Sequence, residues 1–410
     1  MISMLSFLLP RMLLAMPAVD LSQSSLQLSL DGHKFHLDPY WLRERCLSQL
    51  SVDLSTLQPL LNPHELPMDM TFENASILGN DTLQVAFTDG HTSKYQLKTL
   101  LAELTDFRSN PIQPAQYERP RPSLWSGDLQ LTSYNHHDII TNEEVRLNLT
   151  EMLLTKGVAL VKKIPKEHGI VTAFAKNMST LRTTDWGPFF NVRVTPDTAG
   201  KTAKQDLAYT GKAIGLHTDN PYRDPTPDFQ LLHALEHCSC NGKAPCDGCS
   251  VLNYIVDGFY IAELLRNESQ ESYDLLSSIP VRFENNGGDG TSALVTMFPH
   301  LELSHDKKEI QAVRFSAKSG QYAPALSPEM AAKFYQARRR FSELAHQPEH
   351  ALTMQFEPGD ILVFDNRRVL HARSHIPAND AARWVQGCYM DRAAQLKKVV
   401  GQLSYSKLTV

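Results

Sequence analysis

Residues 215–222 read Gly-Leu-His-Thr-Asp-Asn-Pro-Tyr, and residues 368–373 read Arg-Val-Leu-His-Ala-Arg. The first stretch places His217 two positions before Asp219, and the second contributes His371. Two histidines and one carboxylate make up the facial triad that holds Fe(II) and leaves three positions open for other ligands. His217, Asp219 and His371 are therefore the candidate iron ligands and catalytic centre.

The His-x-Asp pattern alone is a weak signal, because sixteen histidines in 410 residues should produce about one such pattern by chance. Two others occur, at residues 36–38 and 136–138. The third differs in its setting, between an apolar run and a turn that contains Asn and Pro. The distant histidine follows the apolar run 361–364, which a turn at residues 357–360 introduces. The competing interpretation is a turn-capping aspartate with two surface histidines.

Three more motifs appear in order along the chain. They read Gln-Leu-Leu-His at 230–233, Ile-Val-Asp-Gly-Phe at 255–259 and Arg-Trp-Val-Gln-Gly-Cys-Tyr at 383–389. With them the chain resembles the gamma-butyrobetaine dioxygenase and trimethyllysine dioxygenase branch of the taurine-dioxygenase-like, 2-oxoglutarate-dependent oxygenases, over about residues 25 to 400. The resemblance implies a mainly β fold with flanking helices: a double-stranded β-helix (jelly-roll) catalytic domain and a small β-rich N-terminal domain. It also implies Fe(II), 2-oxoglutarate as cosubstrate, and O2.

The resemblance assigns further residues to the cosubstrate. Arg383, twelve positions after His371, matches the arginine that binds the distal carboxylate of 2-oxoglutarate, a task suited to a guanidinium fork. The alternative is a solvated strand arginine. Asn253 stands where relatives carry Ser or Thr as a polar partner. Thr218 and Arg373 are expected beside the iron and its cosubstrate.

Four aromatic residues match the positions at which relatives hold a quaternary ammonium group. Aromatic faces attract such a cation, which has no hydrogen to donate. A single aromatic residue here is more often part of a core, but four together favour a cage. The residues are Trp186, Phe190, Tyr209 and Tyr389. We therefore expect a small-molecule quaternary ammonium substrate, similar to gamma-butyrobetaine.

The site for the substrate's anionic tail departs from the family. Relatives commonly read Asn-Asn where this chain has Gln205 and Asp206, and Phe-Asn-Asn where residues 315–317 read Phe-Ser-Ala. Asp206 would repel a carboxylate that asparagine amides would bind, so Asp206→Asn should raise activity on gamma-butyrobetaine. A phosphonate, a sulfonate and trimethyllysine stay open as substrates, and a non-catalytic betaine-binding homologue is a further alternative.

Composition shifts along the chain predict four segments. Residues 1–22 form an apolar tail or an over-extended start, with organelle targeting and membrane anchoring as alternatives. Residues 23–106 form the small β-rich domain, residues 107–128 a proline-rich linker, and residues 129–402 the catalytic domain. A cytoplasmic protein is expected, with a mitochondrial location open for a eukaryotic source.

Local signals predict several elements. Hairpins are expected around Asp31-Gly32 and around Asp89-Gly90. A helix is expected from about Thr141, followed by a strand at residues 157–161. One clear helix, residues 328–345 with Ser327 as its N-cap, interrupts the short strands of the catalytic domain.

Cysteines raise two separate zinc questions. Relatives carry a structural zinc in the N-terminal domain, but here only Cys46 and His91 match its ligands, so that zinc is expected to be lost. A second cluster could bind Zn(II) by itself, or instead hold free thiols or disulfides. Its members are Cys238, Cys240, Cys246 and Cys249.

Composition excludes some partners. The formal net charge is -5 and the pI is about 6.3, which gives no basic surface for nucleic acid. No unbroken apolar segment is long enough for a membrane span. A small molecule is the expected partner, and a homodimer stays open.

Overall fold

A computed structural model of the chain describes residues 16–22, 25–56, 58–101, 104, 121–193, 207–237, 251–285, 294–316, 318–376 and 383–392. It divides into two compact units, residues 1–116 and 117–410. Each unit has its own hydrophobic core.

The first unit contains two three-stranded antiparallel sheets, ordered β1-β2-β3 and β4-β5-β6. Both predicted hairpins are confirmed, because β2 pairs with β3 across Asp31-Gly32 and β5 pairs with β6 across Asp89-Gly90. Asp31 and Gly32 take the positive φ values of 49° and 77° that a tight hairpin turn requires. Alternate residues of β2 are buried in the core. The elements are β1 Ala18–Ser22, β2 Ser25–Leu30, β3 His33–Leu37, α1 Pro39–Arg43, β4 Phe72–Leu78, β5 Thr82–Phe87 and β6 Thr92–Gln96.

The matched remnant of the family's zinc site lies inside this unit. Cys46 Sγ is 3.2 Å from His91 Nε2. The Ser48 amide donates to Cys46 Sγ, and the Ser48 hydroxyl donates to Ser51 Oγ. Burial opposes ionisation of the Cys46 thiol, but hydrogen bonds from the neighbouring serines outweigh it and lower the pKa of Cys46 to about 6. The loss of this zinc stays a prediction.

The second unit contains the remaining elements. Its strands are β7 Ser133–Asn135, β8 Val158–Lys162, β9 Leu181–Arg182, β10 Phe190–Arg193, β11 Ile214–His217, β12 Phe229–Glu236, β13 Asn253–Asp257, β14 Val281–Asn285, β15 Leu294–Phe298, β16 Leu301–Leu303, β17 Ile310–Val313, β18 Gly320–Tyr322, β19 Ala351–Met354, β20 Ile361–Asp365, β21 Val369–Arg373 and β22 Trp384–Met390. Its helices are α2 His136–Thr141, α3 Glu143–Thr155, α4 Ile170–Met178, α5 Gly258–Glu268, α6 Gln270–Ser278 and α7 Pro328–Ala345.

Two sheets carry the architecture of this unit. The larger has the order β10-β22-β12-β20-β8-β7, with β9 also paired to β22, and the smaller has the order β11-β21-β13-β19. Strand β20 shows how they pack. Ile361 and Val363 face helices α2 to α4, while Leu362 and Phe364 face Ile255 of the smaller sheet. This period-two alternation buries both faces of the larger sheet.

The helix predictions are partly right. Helix α7 begins at Pro328, and Ser327 Oγ accepts a hydrogen bond from the Met330 amide, as predicted. Helix α3 begins at Glu143, with Asn142 as its cap. The expectation of one clear helix among the catalytic strands was wrong, because α5 and α6 follow β13. Asp257 caps α5 by accepting from the amide two residues on, a signal that the sequence analysis read only as a family motif.

A buried ion pair fixes the entry into the second unit. Arg368 donates to both oxygens of Asp257, at 2.9 and 2.7 Å, and also to the Ser123 carbonyl at 2.7 Å. The Trp125 amide donates to the same carboxylate, and the Trp125 ring is buried between the two sheets. Residues 121–128, the end of the segment predicted as a linker, therefore pack into the second unit.

Within the described ranges, no helix is long and apolar enough to cross a membrane.

Candidate active site

The predicted triad assembles at the end of the smaller sheet. Strands β11 and β21 are antiparallel, and His217 lies directly opposite His371. Asp219 follows two residues after the end of β11. His217 Nε2 is 3.4 Å from one Asp219 oxygen, and His371 Nε2 is 3.9 Å from the other. The ligand atoms all lie within 4.8 Å of one another, so one cation can reach all three.

The two imidazoles are prepared for metal binding in different ways. His217 Nδ1 lies 2.9 Å from the Gly215 carbonyl oxygen. Because a carbonyl oxygen only accepts hydrogen bonds, Nδ1 carries the proton, and the unprotonated Nε2 is available to bind a metal. Burial and the neighbouring His217 lower the pKa of His371 well below its ordinary value. His371 is therefore neutral, as a ligand must be.

The Asp219 carboxylate is surrounded by donors. Gln230 Nε2 donates to Oδ2 at 2.8 Å, and the Tyr389 hydroxyl donates to the same oxygen at 3.2 Å. Lys318 Nζ lies 2.8 Å from Oδ1. Asn366 holds the backbone, accepting from the Asp219 amide and donating to its carbonyl.

These contacts set the charge of the site. Burial opposes ionisation of Asp219, but the charge of Lys318, together with the contacts to His217 and His371, outweighs it, so the pKa of Asp219 is held well below its ordinary value. The carboxylate is ionised, and a cation already lies against it. A centre with one anionic oxygen and two neutral nitrogens suits Fe(II).

Thr218 connects this centre to the segment after β17. Its amide and hydroxyl both donate to the Phe315 carbonyl, at 2.6 and 3.3 Å, and the Phe315 amide donates back to the hydroxyl. His217 also forms an isolated antiparallel bridge with Ser316. Thr218 thus contacts the protein backbone, and its predicted place beside the cosubstrate stays a prediction.

Arg383 is a buried cation. Its guanidinium donates to Asn253 Oδ1 at 3.3 Å, so the structure brings two predicted residues together. Among the described residues, no carboxylate lies within ion-pair distance of Arg383. Burial, with a smaller contribution from Arg373, lowers its pKa to about 9. A buried guanidinium in this state calls for an anionic partner, which the distal carboxylate of 2-oxoglutarate would supply.

Arg373 holds a loop. Its guanidinium donates to the carbonyls of Ala208, Thr210 and Lys212, at 3.1, 2.7 and 2.8 Å. These carbonyls lie within and just after the short 3-10 turn Leu207–Tyr209, which packs beside β10. Arg373 therefore places the turn that carries Tyr209, and its predicted role toward the cosubstrate stays a prediction.

Two of the four predicted cage residues lie together. The rings of Phe190 and Tyr389 have centroids 5.5 Å apart at an interplanar angle of 37°. Phe190 lies directly over Gly387 on the neighbouring strand, where a Cβ atom would come within 2.1 Å of the ring. Because Tyr389 also hydrogen-bonds to Asp219, this aromatic pair borders the triad.

The other two predicted cage residues, Trp186 and Tyr209, form no ring pair with Phe190 or Tyr389 among the described ring contacts. Trp186 is 37% exposed, and the guanidinium of Arg223 lies 5.7 Å from its ring centroid. An internal cation thus already contacts its ring. Tyr209 lies on the turn next to β10, so it neighbours the strand that carries Phe190.

Five of the predicted residues lie outside the described part of the chain. They are Asp206, Cys238, Cys240, Cys246 and Cys249. The predictions made for the tail site and for the cysteine cluster stand as they were.

The structure adds three residues to the site. Gln230 belongs to the motif at 230–233, and Asn366 lies between the apolar run 361–364 and the stretch 368–373, yet nothing there indicated that they contact Asp219. Lys318 follows the Phe-Ser-Ala stretch that replaces the family's asparagines. That departure from the family was the one available signal for Lys318, and it did not indicate which residue the lysine contacts.

Two family models match the chain. The family model "Taurine catabolism dioxygenase TauD, TfdA family" matches residues 130–389. The model "Gamma-butyrobetaine hydroxylase-like, N-terminal" matches residues 19–101.

Curated relatives align over most of the chain. Gamma-butyrobetaine dioxygenase from Pseudomonas sp. (strain AK-1) is 30% identical, over 90% of this chain and 91% of its own. Trimethyllysine dioxygenase from Neurospora crassa is 27% identical, over 92% of this chain and 83% of its own. Human gamma-butyrobetaine dioxygenase is 24% identical, over 86% and 87%.

Proposed function

The chain belongs to the taurine catabolism dioxygenase TauD, TfdA family and is an iron- and 2-oxoglutarate-dependent dioxygenase; on that premise we propose that it hydroxylates a small trimethylammonium acid. His217, Asp219 and His371 would hold the iron. Arg383, with Asn253 beside it, would bind the distal carboxylate of 2-oxoglutarate.

The bound groups supply the oxidation: 2-oxoglutarate and O2 are converted to succinate and CO2, and one oxygen atom enters a C–H bond of the substrate. The protein supplies placement. Gln230 and Tyr389 orient the Asp219 carboxylate, and the backbone bonds of Asn366 fix its position.

One observation carries the substrate proposal. Phe190 and Tyr389 form an aromatic pair, and Tyr389 also donates to Asp219 Oδ2 at 3.2 Å. A trimethylammonium group against these rings would therefore lie close to the residues that would hold the metal. Relatives named for gamma-butyrobetaine and for trimethyllysine both have substrates with this group, which supports the same class.

A turnover panel tests the proposal. Purified protein with Fe(II), 2-oxoglutarate and ascorbate is given gamma-butyrobetaine, trimethyllysine, longer and shorter trimethylammonium acids, a sulfonate, a phosphonate and a neutral isostere with carbon in place of nitrogen. Succinate formation should depend on a trimethylammonium compound, and the isostere should be weaker by about 1–2 kcal/mol, or roughly 5- to 30-fold in KM.

The same panel separates the alternatives. Equal turnover of the neutral isostere would remove the aromatic cage. Preference for the sulfonate or phosphonate would move the enzyme to another substrate class in its family. Binding of betaines without succinate in the iron-loaded protein would favour a non-catalytic homologue, although a binding protein has no need of the complete triad.

The architecture supports finer proposals. We propose that the two facing sheets of the second unit are the halves of a double-stranded β-helix, with domain limits at 23–106 and 129–402. Strand alternation across β20 supports this assignment. The end of the predicted linker at 107–128 belongs with the second domain, because residues 121–128 pack into that unit. Limited proteolysis between the units, followed by mass spectrometry, would test the limits.

The protein's setting and its cysteines complete the proposal. The buried, unpaired thiols of Cys46 and Cys388 favour a reducing, cytoplasmic location. A homodimer is tested by sedimentation.

For the cysteine cluster at residues 238–249, elemental analysis of iron-free protein should find about one zinc per chain. That zinc should be lost when Cys246 and Cys249 are replaced by Ser. Absence of zinc in reduced protein would favour free thiols.

A further inference from the structure

Arg373 and Arg383 are two buried cations of the second unit, 6% and 5% exposed. Arg373 lies directly opposite Asn253 in the pairing of β21 with β13, so the two side chains extend from the same face of the sheet. Asn253 Oδ1 in turn accepts a hydrogen bond from Arg383 at 3.3 Å, and Asn253 therefore neighbours both arginines. Burial first, and the positive charge of Arg373 second, lower the pKa of Arg383 to about 9. The two guanidinium groups thus repel each other.

No carboxylate among the described residues forms an ion pair with either guanidinium. The oxygens that accept from them are three backbone carbonyls for Arg373 and one side-chain amide for Arg383. Neutral oxygens offset only part of the cost of burying a charge. An anion bound at Arg383 would supply a negative charge and reduce the repulsion between the two arginines.

Arg373 also holds the substrate turn, a name we give to residues 207–212. Its guanidinium donates to the carbonyls of Ala208, Thr210 and Lys212, at 3.1, 2.7 and 2.8 Å. The turn carries Tyr209 and packs beside β10, the strand of Phe190. The same side chain therefore neighbours the predicted cosubstrate site and fixes the backbone beside the predicted cage.

The two roles of Arg373 conflict while the cosubstrate is absent. Arg373 keeps its three bonds to the substrate turn only while its charge stays near Arg383, and the repulsion between the guanidinium groups opposes that position. A carboxylate bound at Arg383 offsets the repulsion and attracts both cations. The position of Arg373 that holds the turn is therefore more stable when the cosubstrate is bound.

We propose that Arg373 is a positioning residue that couples the two ligand sites: an anionic cosubstrate bound at Arg383 strengthens the hold of Arg373 on the substrate turn and thereby tightens substrate binding. This rests on the proposed function, which places 2-oxoglutarate at Arg383 and a trimethylammonium acid at the cage. Coupling between binding sites is reciprocal, so the substrate tightens the binding of 2-oxoglutarate by the same factor.

Two 2-oxo acids separate the effect of the distal carboxylate from that of the metal. Full-length wild-type protein is loaded with Mn(II), which permits binding without turnover, and calorimetry measures Kd for gamma-butyrobetaine. 2-Oxoglutarate and 2-oxopentanoate offer the same 2-oxo acid group, but only 2-oxoglutarate brings a carboxylate for Arg383. At saturation, 2-oxoglutarate should lower this Kd at least about fivefold more than 2-oxopentanoate does. Equal effects of the two compounds would overturn the proposal.

Trypsin gives a second readout that needs no substrate. Lys212 is exposed, and the carbonyl of the bond that trypsin cleaves accepts from Arg373. In wild type, 2-oxoglutarate should slow cleavage after Lys212 at least about fivefold more than 2-oxopentanoate does, since cleavage follows the population of the opened turn. In Arg373→Met, cleavage should be fast with either compound.

Two further variants complete the experiment. Arg182→Met is the matched control, because Arg182 likewise donates to two loop carbonyls, those of Pro225 and Thr226, and this variant should keep the wild-type protection of Lys212. Arg373→Lys keeps a positive charge but lacks the planar fork that reaches three carbonyls. It should also lose most of the protection, and it takes the place of Arg373→Met if the methionine variant does not fold.

The outcomes are distinguishable. Protection of Lys212 by 2-oxoglutarate in a folded Arg373 variant would give Arg373 a structural role only, which overturns the proposal. Wild type that binds 2-oxoglutarate but no trimethylammonium acid would contradict the proposed substrate class, and cleavage after Lys212 would still decide whether Arg373 couples the cosubstrate to the turn.

Discussion

Replacing Gly387 with alanine should weaken substrate binding at a modest cost to the stability of the fold. Gly387 lies in β22 opposite Phe190 of β10. An added Cβ would come within 2.1 Å of the Phe190 ring, against the 3.4 Å of an ordinary contact. The obstructing atoms belong to the end of a side chain, so the ring must move by about 1.3 Å while the backbone stays.

The costs in stability and in substrate binding follow from the displacement of the Phe190 ring. Overpacking of this kind costs about 1–3 kcal/mol of stability, and a ring that can move places the change at the lower end. Displacing Phe190 breaks its pairing with Tyr389 at 5.5 Å. The loss of one wall of the cage should cost about 1–2 kcal/mol of binding, or roughly 5- to 30-fold in KM for a trimethylammonium acid.

A double-mutant cycle isolates the cause. Succinate formation gives KM for wild type, Gly387→Ala, Phe190→Ala and the double variant, with a melting temperature for each. If the ring transmits the effect, Gly387→Ala should add nothing to KM or to stability in the Phe190→Ala background. Additive losses in the double variant would refute the reasoning, since the methyl group would then act elsewhere.

Three further predictions follow from the buried polar groups. Alanine in place of His217, Asp219 or His371 should abolish succinate formation while far-UV circular dichroism stays unchanged; substrate-dependent turnover in any of them with iron supplied would contradict the iron assignment. Burial lowers the pKa of His300 from 6.5 to about 4, so between those values the unfolded chain binds a proton that the folded chain rejects, and the free energy of unfolding falls as pH decreases from 6.5 to 4. His300→Asn should reduce that slope by up to about 1.4 kcal/mol per pH unit, and an unchanged slope in urea titrations would show that His300 is not the group responsible. Arg368→Met should lower the free energy of unfolding by about 3–5 kcal/mol, because it leaves a buried carboxylate unpaired; a loss below 1 kcal/mol would mean that water replaces the guanidinium.

The sequence by itself determined the features that depend on local rules. The Asp-Gly pair at residues 31 and 32, between two alternating apolar runs, predicts a hairpin, and the serine before a proline at residues 327 and 328 predicts the start of helix α7. The His-x-Asp pair, the later histidine and Arg383 were also available, since the resemblance fixes them by order and spacing along the chain. These signals need no knowledge of what lies across a sheet.

Only the tertiary structure decided which side chains meet at Asp219. Gln230, Lys318 and Tyr389 come from three separate segments, and their approach depends on the registers of β12 and β22 and on the pairing of Phe315 with Thr218. Strand register converts sequence distance into contact, and a shift of one residue would turn each side chain to the opposite face. For the same reason the four aromatic residues looked equivalent in the sequence, while the structure brings Phe190 and Tyr389 together beside the triad and leaves Trp186 against Arg223.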